Sequence, residues 1–323
     1  MARRYSTRSS ATYCDDWVAP ETRDDLRQIS NELGTIPTVS PFAYGTGYWK
    51  QSVECLFPAA LLVLAARSLT CFRKSDNLTW LRRGGLRPKL TVPEALLMAV
   101  DLWEEFAAKN AEQLVPLRKL ELATWNVALG HLNEFGEVDA IVVSPPYANR
   151  LDYSSMWAPE SEILAALFDK PTAYLKDEQL GSTVVTRRRP SEELVQTLPK
   201  GTQLELKTIR SDESKASDSY YYPFFANYAL GLQQAIKGWA PSIRLGGRMI
   251  IFVRNTVRKD QLFRADELIR ETLIESGFAE VRTSQTNQVI RSHIGLLRHR
   301  RTKTGVHGLA QLESWLSFER TSR

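Results

Sequence analysis

The sequence predicts an α/β protein whose mostly parallel sheet is covered by helices on both faces. Two short, β-branched apolar runs, Val138–Val143 and Met249–Val253, have the composition of strands buried in a parallel sheet. Helical patterns lie between them and after them, so that strand and helix alternate along the chain. A length of 323 residues, of which 43% are apolar, is enough to bury a core in one large or two modest domains.

The first third of the chain is predicted to be mainly helical. Residues 1–35 are polar, include a helix over Glu21–Leu33, and form a peripheral segment. Phe57–Leu69 is apolar and predicts a buried helix. Pro93–Phe106 predicts an amphipathic helix, because a proline suits its first turn and apolar residues follow at helical spacing: Leu96, Leu97, Val100 and Trp103.

The second half of the chain supplies further elements of the sheet. A helix is expected over Phe225–Trp239, followed by a tight turn at Gly246–Gly247 before the next strand. Leu262–Ser276 predicts another helix, which Gly277 stops. Two final strands are expected at Ala279–Thr283 and Leu312–Phe318.

Residues 169–218 differ from the segments around them in being strongly polar. We interpret them as an excursion from the core rather than as one of its layers. The predicted organisation is therefore a core formed by residues 36–168 and 219–323. Residues 169–218 form an inserted segment and a candidate target-recognition region.

Several classes of protein are excluded by the composition. The longest apolar run, Phe57–Ala66, has ten residues, whereas a membrane-spanning helix needs about twenty. No apolar signal-peptide core follows the arginine-rich N-terminus, so we expect a cytoplasmic protein that binds no membrane. The three cysteines form no Cys-x-x-Cys pair and the four histidines lie at no metal-ligand spacing, so neither disulfides nor a metal site is expected.

Positive charge is concentrated towards the C-terminus. The net charge is +5, and from Val281 to Arg323 there are eight basic residues and two acidic ones. This excess suits a polyanionic partner, although a solvated basic face without a partner is the alternative. Candidates for phosphate contacts are the arginines of two clusters: Arg187, Arg188, Arg189, Arg298, Arg300 and Arg301.

The most informative residues are Ser144, Pro145, Pro146 and Tyr147, which directly follow the strand Val138–Val143. Two prolines stop the strand and stiffen the turn, and ligands of α/β sheets bind at the carboxyl ends of strands. The Ser144 hydroxyl and the Pro145 carbonyl can together accept both hydrogens of a planar amino group, while Tyr147 offers a ring on which a base stacks. The alternative is an ordinary loop.

Such a turn suits the exocyclic amine of a nucleobase. This amine is a poor nucleophile because its lone pair is delocalised into the ring. Two acceptors aimed at its pyramidal form would stabilise the charge that develops as the nitrogen attacks a methyl group. The base must first be flipped out of the duplex, and stacking contributes about 1–3 kcal/mol, which is comparable with the cost of flipping.

Ser144-Pro145-Pro146-Tyr147 resembles the catalytic motif of the DNA methyltransferases that modify exocyclic amino groups, in which Ser/Asn/Asp-Pro-Pro-aromatic follows the fourth strand. Further segments are similar to the catalytic half of these enzymes: Val138–Tyr153, Leu180–Ser182, Tyr222–Asn255 and Glu313–Arg320. The resemblance implies a Rossmann-like class I methyltransferase fold, S-adenosylmethionine as cofactor and double-stranded DNA as substrate. It also implies catalytic roles for the four motif residues and cognate restriction or defence-system proteins as partners. Serine in the first position favours cytosine N4 as the target, with adenine N6 left open.

The donor-binding half follows the family pattern less closely. Family members have Asp-Pro-Phe-x-Gly-x-Gly, whereas this chain has Ser40 in place of the acid and one extra residue before Gly45. The resemblance implies that the turn around S-adenosylmethionine is formed by Phe42, Gly45 and Gly47, and that Glu54 binds the ribose of this donor. Seven residue steps separate Gly47 from Glu54, which are too few for a full helix and a strand, so the first unit is shortened.

Three more residues complete the predicted pocket. Asn126 is the nearest polar candidate for a contact with the adenine of the donor. Asp152 and Tyr153 are candidates for lining the base pocket, with packing beyond the turn as the alternative. Two other functions stay open: a nucleic-acid-binding relative that has lost catalysis, which the shortened donor turn suggests, and a methyltransferase that acts on RNA.

Overall fold

A computed structural model describes residue 24 and residues 49–51, 64–65, 90–110, 122–124, 136–148, 180–181, 189–258, 261–286 and 313–322. The chain divides into two compact units, one formed by residues 1–125 and 153–175 and the other by residues 126–152 and 176–323. The helix predicted over Glu21–Leu33 lies outside the described residues except for Asp24, which is helical. Of the helix predicted over Phe57–Leu69, Leu64 and Ala65 are described, and both are helical.

The first unit contains a small sheet and helix α1. Strand β1, Trp49–Gln51, pairs antiparallel with strand β2, Leu122–Thr124. Helix α1, Val92–Asn110, confirms the helix predicted over Pro93–Phe106 and extends it. Leu97, part of the predicted apolar stripe, is nevertheless 66% exposed.

A capping box begins helix α1. The Thr91 hydroxyl accepts a hydrogen bond from the Glu94 main-chain N–H at 3.4 Å, and the Glu94 carboxylate accepts one from the Thr91 N–H at 2.7 Å. The buried side of the first turns is formed by Val92, Ala95 and Ala99. Local sequence therefore determines where this helix starts.

The second unit contains a four-stranded sheet in the order β3-β4-β8-β7. Its strands are β3, Val138–Val143; β4, Ile243–Arg254; β7, Phe278–Thr286; and β8, Glu313–Arg320. β3 pairs parallel with β4, whereas β8 pairs antiparallel with both β4 and β7. Consequently β3, β4 and β7 run in one direction and β8 runs in the other.

The predicted fold class is confirmed in its coarser form, as a mixed α/β structure in which the predicted strands are present. A mostly parallel sheet covered on both faces is not confirmed, because two of its three strand pairings are antiparallel. The prediction that β3 is buried on both faces is wrong, since Val142 is 65% exposed. Buried apolar runs occur in sheets of both kinds, so a pattern that predicts strands does not fix their direction.

The helices of the second unit are α2, Glu192–Gln196; α3, Lys200–Ser211; α4, Tyr222–Trp239; and α5, Ala265–Glu275. A π-helical turn, Ser217–Tyr221, precedes α4, and a 3-10 turn, Ala240–Ser242, follows it. α4 confirms the helix predicted from Phe225 to Trp239. α5 begins three residues later than predicted, because Gln261–Phe263 forms strand β6, which pairs antiparallel with β5, Thr256–Arg258.

Alternate strand residues and one broad face of α4 form the core of this unit. Met249, Ile251 and Val253 of β4 are buried, as are Leu316 and Phe318 of β8, which is the period of two that a half-buried strand shows. α4 adds large buried side chains: Phe224, Phe225, Tyr228, Leu232 and Ile236. The spacing of apolar residues in the sequence therefore matches the residues that are buried, both in the strands and in helix α4.

Part of the segment 169–218 packs into this core. α3 contacts α4, α5 and β6, and the segment buries several apolar side chains: Val195, Leu198, Leu206 and Ile209. The interpretation of this segment as an excursion from the core is therefore wrong for residues 192–211. Polar residues on the outer faces of short helices dominate the average composition and conceal the amphipathic pattern. A role in target recognition stays a prediction.

Gly246 and Gly247 form a bulge within β4 rather than the predicted tight turn. Val138 of β3 pairs with Ile243 of β4, and Ala140 pairs with Arg248. Two residue steps on β3 therefore lie opposite five on β4, so the extra residues of β4 bulge out of the sheet. Gly246 has a φ of 74°, and a Cβ on Gly247 would lie 2.9 Å from the carbonyl oxygens of Arg244 and Asp139. Glycine is required here because the two main chains approach each other closely.

Candidate active site

The residues Ser144–Tyr147, called the corner below, lie at the carboxyl end of β3, beside the parallel strand β4. Ser144 is exposed, Pro145 is buried, and Pro146 and Tyr147 are half-buried. A hydroxyl group is therefore accessible at a strand end while the residues after it pack into the protein. This is the end of a strand at which α/β proteins bind ligands.

Tyr147 is held by a residue from the far end of the sequence. Its hydroxyl donates a hydrogen bond to the Glu313 carboxylate at 2.5 Å. Glu313 is the first residue of β8 and lies opposite Arg254 of β4 in the antiparallel register. A hydrogen bond between a hydroxyl and a carboxylate is charge-assisted and belongs to the stronger class.

The surroundings of Tyr147 keep its hydroxyl protonated. Burial is the main cause that raises its pKa above the ordinary value of 10.0, and the hydrogen bond to Glu313 raises the pKa further. The Ser144 hydroxyl and the positive charge of Arg254 lower the pKa, without reversing its direction. The phenol is therefore a hydrogen-bond donor throughout the neutral pH range.

The two proline carbonyls of the corner have different surroundings. The hydroxyl of Tyr228, a buried residue of α4, donates to the Pro146 carbonyl at 2.8 Å. Among the described residues no donor reaches the Pro145 carbonyl. Pro145 itself is buried, and the role of its oxygen as an acceptor for the amine stays a prediction.

A turn at Leu180 and Gly181 packs against the corner. Gly181 has a φ of 75°, and a Cβ there would lie 3.6 Å from the Tyr228 ring and 3.8 Å from the Tyr147 carbonyl oxygen. A Cβ on Gly231 of α4 would lie 2.7 Å from Leu180 Cδ1. The structure thus brings together Leu180–Gly181, α4, the corner and the start of β8, which are parts of all the segments that carry the family resemblance.

Most of the other predicted site residues cannot be placed relative to the corner. The five donor-binding candidates and seven of the eight nucleic-acid-binding candidates lie outside the described residues: Phe42, Gly45, Gly47, Glu54, Asn126, Asp152, Tyr153, Arg187, Arg188, Arg298, Arg300 and Arg301. Their roles stay predictions.

Arg189, the remaining candidate for a phosphate contact, belongs to an ionic cluster. Its guanidinium donates to both carboxylate oxygens of Asp218, at 2.7 and 3.0 Å, and Arg210 donates to the same carboxylate at 3.0 Å. Both guanidinium groups lie over the ring of Tyr222, at 5.3 and 5.1 Å from its centre. The hydrogen bond from Arg189 is the main cause that lowers the pKa of Asp218. Arg189 thus has a partner within the protein, and its predicted phosphate contact stays a prediction.

Three residues at the corner were not singled out by the sequence: Tyr228, Arg254 and Glu313. Arg254 has a buried Nε atom with no acceptor among the described residues, which is unusual for a buried donor. Glu313 and Tyr228 lie 166 and 82 residues from their partners in the corner. Their segments carry the family resemblance, but only the folded sheet shows that these side chains reach the corner.

A separate cavity of about 280 Å³ opens along β8. It is lined by residues of β4, β7 and β8: Ile250, Arg282, Ser284, Trp315, Leu316 and Ser317. None of the corner residues lines it. The cavity is therefore not part of the candidate site.

Within the described ranges, no group of three or more His, Cys, Asp or Glu side chains is placed to hold a metal ion. The helices in those ranges include none with the length and apolar character needed to cross a bilayer. The corner presents the exposed hydroxyl of Ser144 beside a phenol that donates to Glu313. Comparison of the chain with models of protein families, with curated proteins and with solved structures found no match.

Proposed function

We propose that this chain transfers a methyl group from S-adenosylmethionine to the exocyclic amino nitrogen of a base flipped out of double-stranded DNA, with cytosine N4 as the favoured target. The observation that carries the proposal is the corner at the end of β3. There an exposed Ser144 adjoins a stiff diproline turn and a Tyr147 whose hydroxyl is bound by Glu313. We further propose that the reaction serves restriction and modification or a related defence role.

In the proposed reaction, the Ser144 hydroxyl and the Pro145 carbonyl accept the two N–H groups of the amine. These acceptors favour the pyramidal nitrogen, whose lone pair is then free to form the new N–C bond. S-adenosylmethionine supplies the methyl group, and the electrons of its broken C–S bond stay on sulfur. The methylated nitrogen, which then carries a positive charge, releases one proton to water. Each preorganised hydrogen-bonding group of this kind contributes a factor of about 10²–10³ to the rate.

The strand directions support a Rossmann-like core for this reaction. Helices α2, α3 and α4 lie between β3 and β4 in sequence, and the hairpin β5–β6 and helix α5 lie between β4 and β7. The strands β3, β4 and β7 run in the same direction. Strand, helix and same-direction strand form the repeating unit of doubly wound α/β folds. On this proposal, β8 is an antiparallel strand inserted between β4 and β7.

For DNA binding, we propose phosphate contacts by the basic residues of the two arginine clusters, most of all those other than Arg189. Arg189 shares the Asp218 carboxylate with Arg210, which offsets much of its charge. The excess of basic over acidic residues in 281–323 is the second source of attraction for a polyanion.

A second candidate function is nucleic-acid binding without catalysis. The shortened donor motif favours it, since Ser40 replaces the expected acid and only seven steps separate Gly47 from Glu54. Calorimetry with S-adenosylmethionine separates the two functions. Binding in the micromolar range supports the transferase, whereas no detectable binding supports the non-catalytic relative.

The direct test measures transfer of a labelled methyl group to unmethylated DNA of mixed sequence. We expect transfer by the wild type and a loss of about 10²–10³-fold in Ser144→Ala. Ser219→Ala is the matched control, because Ser219 is an exposed serine on the π-helical turn, outside the corner. Equal rates for wild type and Ser144→Ala would contradict the proposal, as would the absence of transfer by the wild type.

The product identifies the substrate. Digestion of the labelled DNA to nucleosides is expected to give N4-methylcytosine, and N6-methyladenine would assign the other amine. Treatment of a mixed nucleic-acid product with DNase or RNase shows which polymer carries the label. Label that survives DNase and is released by RNase would assign the reaction to RNA.

A further inference from the structure

Tyr147 is constrained at both ends. Its main chain follows two prolines, which fix their own φ angles, and the Pro146 carbonyl is bound by the Tyr228 hydroxyl at 2.8 Å. Its phenol oxygen is bound by Glu313 at 2.5 Å. A tyrosine side chain has two rotatable bonds, so fixing the hydroxyl as well as the Cα leaves the plane of the ring little freedom.

Glu313 is itself well placed to act as a fixed support. It is paired in the sheet with Arg254 of β4 on one side and with Thr286 of β7 on the other. Its main chain is therefore held between two strands, and its carboxylate can accept from Tyr147 without a large loss of side-chain freedom. The phenol-to-carboxylate bond is of the charge-assisted class.

The same contact determines where the phenol hydrogen goes. The Ser144 hydroxyl lies within hydrogen-bonding reach of the Tyr147 phenol, and this hydrogen bond is one of the causes that lower the phenol pKa. If the phenol donated to the Ser144 oxygen, it would occupy a lone pair that the proposed reaction uses for the amine. By accepting the phenol hydrogen, Glu313 leaves the serine oxygen available.

We infer that Glu313 is a positioning residue for the methyl transfer proposed above, an inference that rests on that proposed function. Glu313 holds the Tyr147 ring in the orientation in which the flipped base stacks, and it keeps the phenol from competing with the amine for Ser144. It touches neither the base nor the methyl donor. Residues 313–320 thereby contribute to the site as well as to the sheet.

The test compares Glu313→Ala, Glu313→Gln, Tyr147→Phe and the double variant Glu313→Ala/Tyr147→Phe in steady-state methyl transfer to DNA. We expect Glu313→Ala to lower kcat about tenfold, with the KM for S-adenosylmethionine unchanged. Glu313→Gln should retain most of kcat, because the amide oxygen still accepts from the phenol. Tyr147→Phe should resemble Glu313→Ala, and the double variant should lose no more than either single variant.

Glu319→Ala is the matched control, since Glu319 lies on the same strand and its one side-chain contact within the described part of the chain is a long 3.9 Å ion pair with Arg248. It should transfer at the wild-type rate. Wild-type kcat in Glu313→Ala, or a double variant whose losses multiply, would overturn the inference. So would equal losses in Glu313→Gln and Glu313→Ala.

A measurement without turnover separates this inference from the proposed function. In protein labelled with ¹³C at the tyrosine Cζ, the Tyr147 signal is identified by its loss in Tyr147→Phe. It should shift in Glu313→Ala and stay in place in Glu319→Ala. If the signal shifts in Glu313→Ala but the wild-type protein transfers no methyl group, Glu313 supports Tyr147 and the chain is not a methyltransferase. If the signal stays in place in Glu313→Ala while the wild-type protein transfers methyl groups, the chain is a methyltransferase but Glu313 does not position Tyr147.

Discussion

The two ends of the four-stranded sheet are stabilised in different ways. At the carboxyl end of β3, partly buried hydroxyl groups bridge segments that are distant in sequence, through Tyr147 with Glu313 and Tyr228 with Pro146. At the opposite end the bulge at Gly247 brings β3 and β4 together, and the surrounding ion pairs are exposed. At the bulge end the Arg320 guanidinium also donates to the main-chain carbonyls of Pro241 and Ile243. The corner end is thus joined by hydroxyl groups, and the bulge end by a glycine bulge and guanidinium contacts.

We expect this difference to make the stability of the fold and the proposed methyl transfer respond differently to substitutions at the two ends. Substitutions at the bulge end should change the stability of the fold but leave the proposed methyl transfer intact in the folded fraction. Substitutions among the residues that support the corner should change both. The predictions below test that separation, beginning with the largest expected effect.

Gly247→Ala should be the most destabilising change at the bulge end. The new Cβ would lie 2.9 Å from two main-chain carbonyl oxygens, those of Arg244 and Asp139, and main chain cannot move as cheaply as the end of a flexible side chain. We expect a loss of about 3 kcal/mol, seen as a lower unfolding temperature, with methyl transfer per folded molecule unchanged.

The control for this substitution is Gly201→Ala in helix α3. Its Cβ would meet only the end of the Glu271 side chain, at 3.4 Å, and alanine favours a helix over glycine by up to about 1 kcal/mol. We therefore expect no loss of stability. A strong loss of methyl transfer in folded Gly247→Ala would contradict the separation of the two ends.

Tyr228→Phe should lower both stability and transfer. The substitution retains the buried ring but removes the donor to the Pro146 carbonyl. Leaving the partly buried Pro146 carbonyl without its donor destabilises by about 1 kcal/mol, so the unfolding temperature should fall by less than in Gly247→Ala. Methyl transfer should nevertheless fall further than in that variant, because the corner loses a support. If methyl transfer fell less in Tyr228→Phe than in Gly247→Ala, the Tyr228 hydroxyl would not support the corner.

The elements that the sequence predicted depend on local information. Helices α1, α4 and α5 appear from their apolar spacing, and Pro145 and Pro146 mark the end of β3 because no strand continues through them. The corner is four adjacent residues, so its sequence alone predicted its position at the end of β3, while the chemistry proposed for it stays a prediction.

The features that the sequence did not predict depend on partners far along the chain. The reversed direction of β8 is a property of its pairing with β4 and β7, and apolar alternation is the same in either direction. The Gly247 bulge is visible only when β3 lies beside β4. Glu313 could be assigned to the corner only once β8 placed it beside Tyr147, from 166 residues away.

Arg244→Ala should have a small effect. The guanidinium of Arg244 pairs with Asp139 across the bulge, but both side chains are more than half exposed. Exposed ion pairs contribute about 0.2–1 kcal/mol and are screened by salt. We expect a fall of about 2 °C or less in unfolding temperature at low salt, vanishing at high salt, with transfer unchanged. A large, salt-independent loss would contradict the small contribution expected of this exposed ion pair.

The smallest expected effect is the alkaline pH dependence that Tyr147 adds to stability. Its pKa is raised in the folded protein, chiefly by burial and then by the bond to Glu313, so the folded state holds the phenol proton more tightly than the unfolded state. That contribution is complete below the unfolded pKa of about 10 and is lost as the pH rises through the folded value.

Between about pH 9 and about pH 11, the unfolding temperature of the wild type should therefore fall more steeply than that of Tyr147→Phe. Arg244→Ala, which removes no phenol, should keep the wild-type slope. Parallel slopes for the wild type and Tyr147→Phe would mean that the phenol proton is bound no more tightly in the folded state, and that the corner end lacks the hydroxyl contact on which the comparison rests.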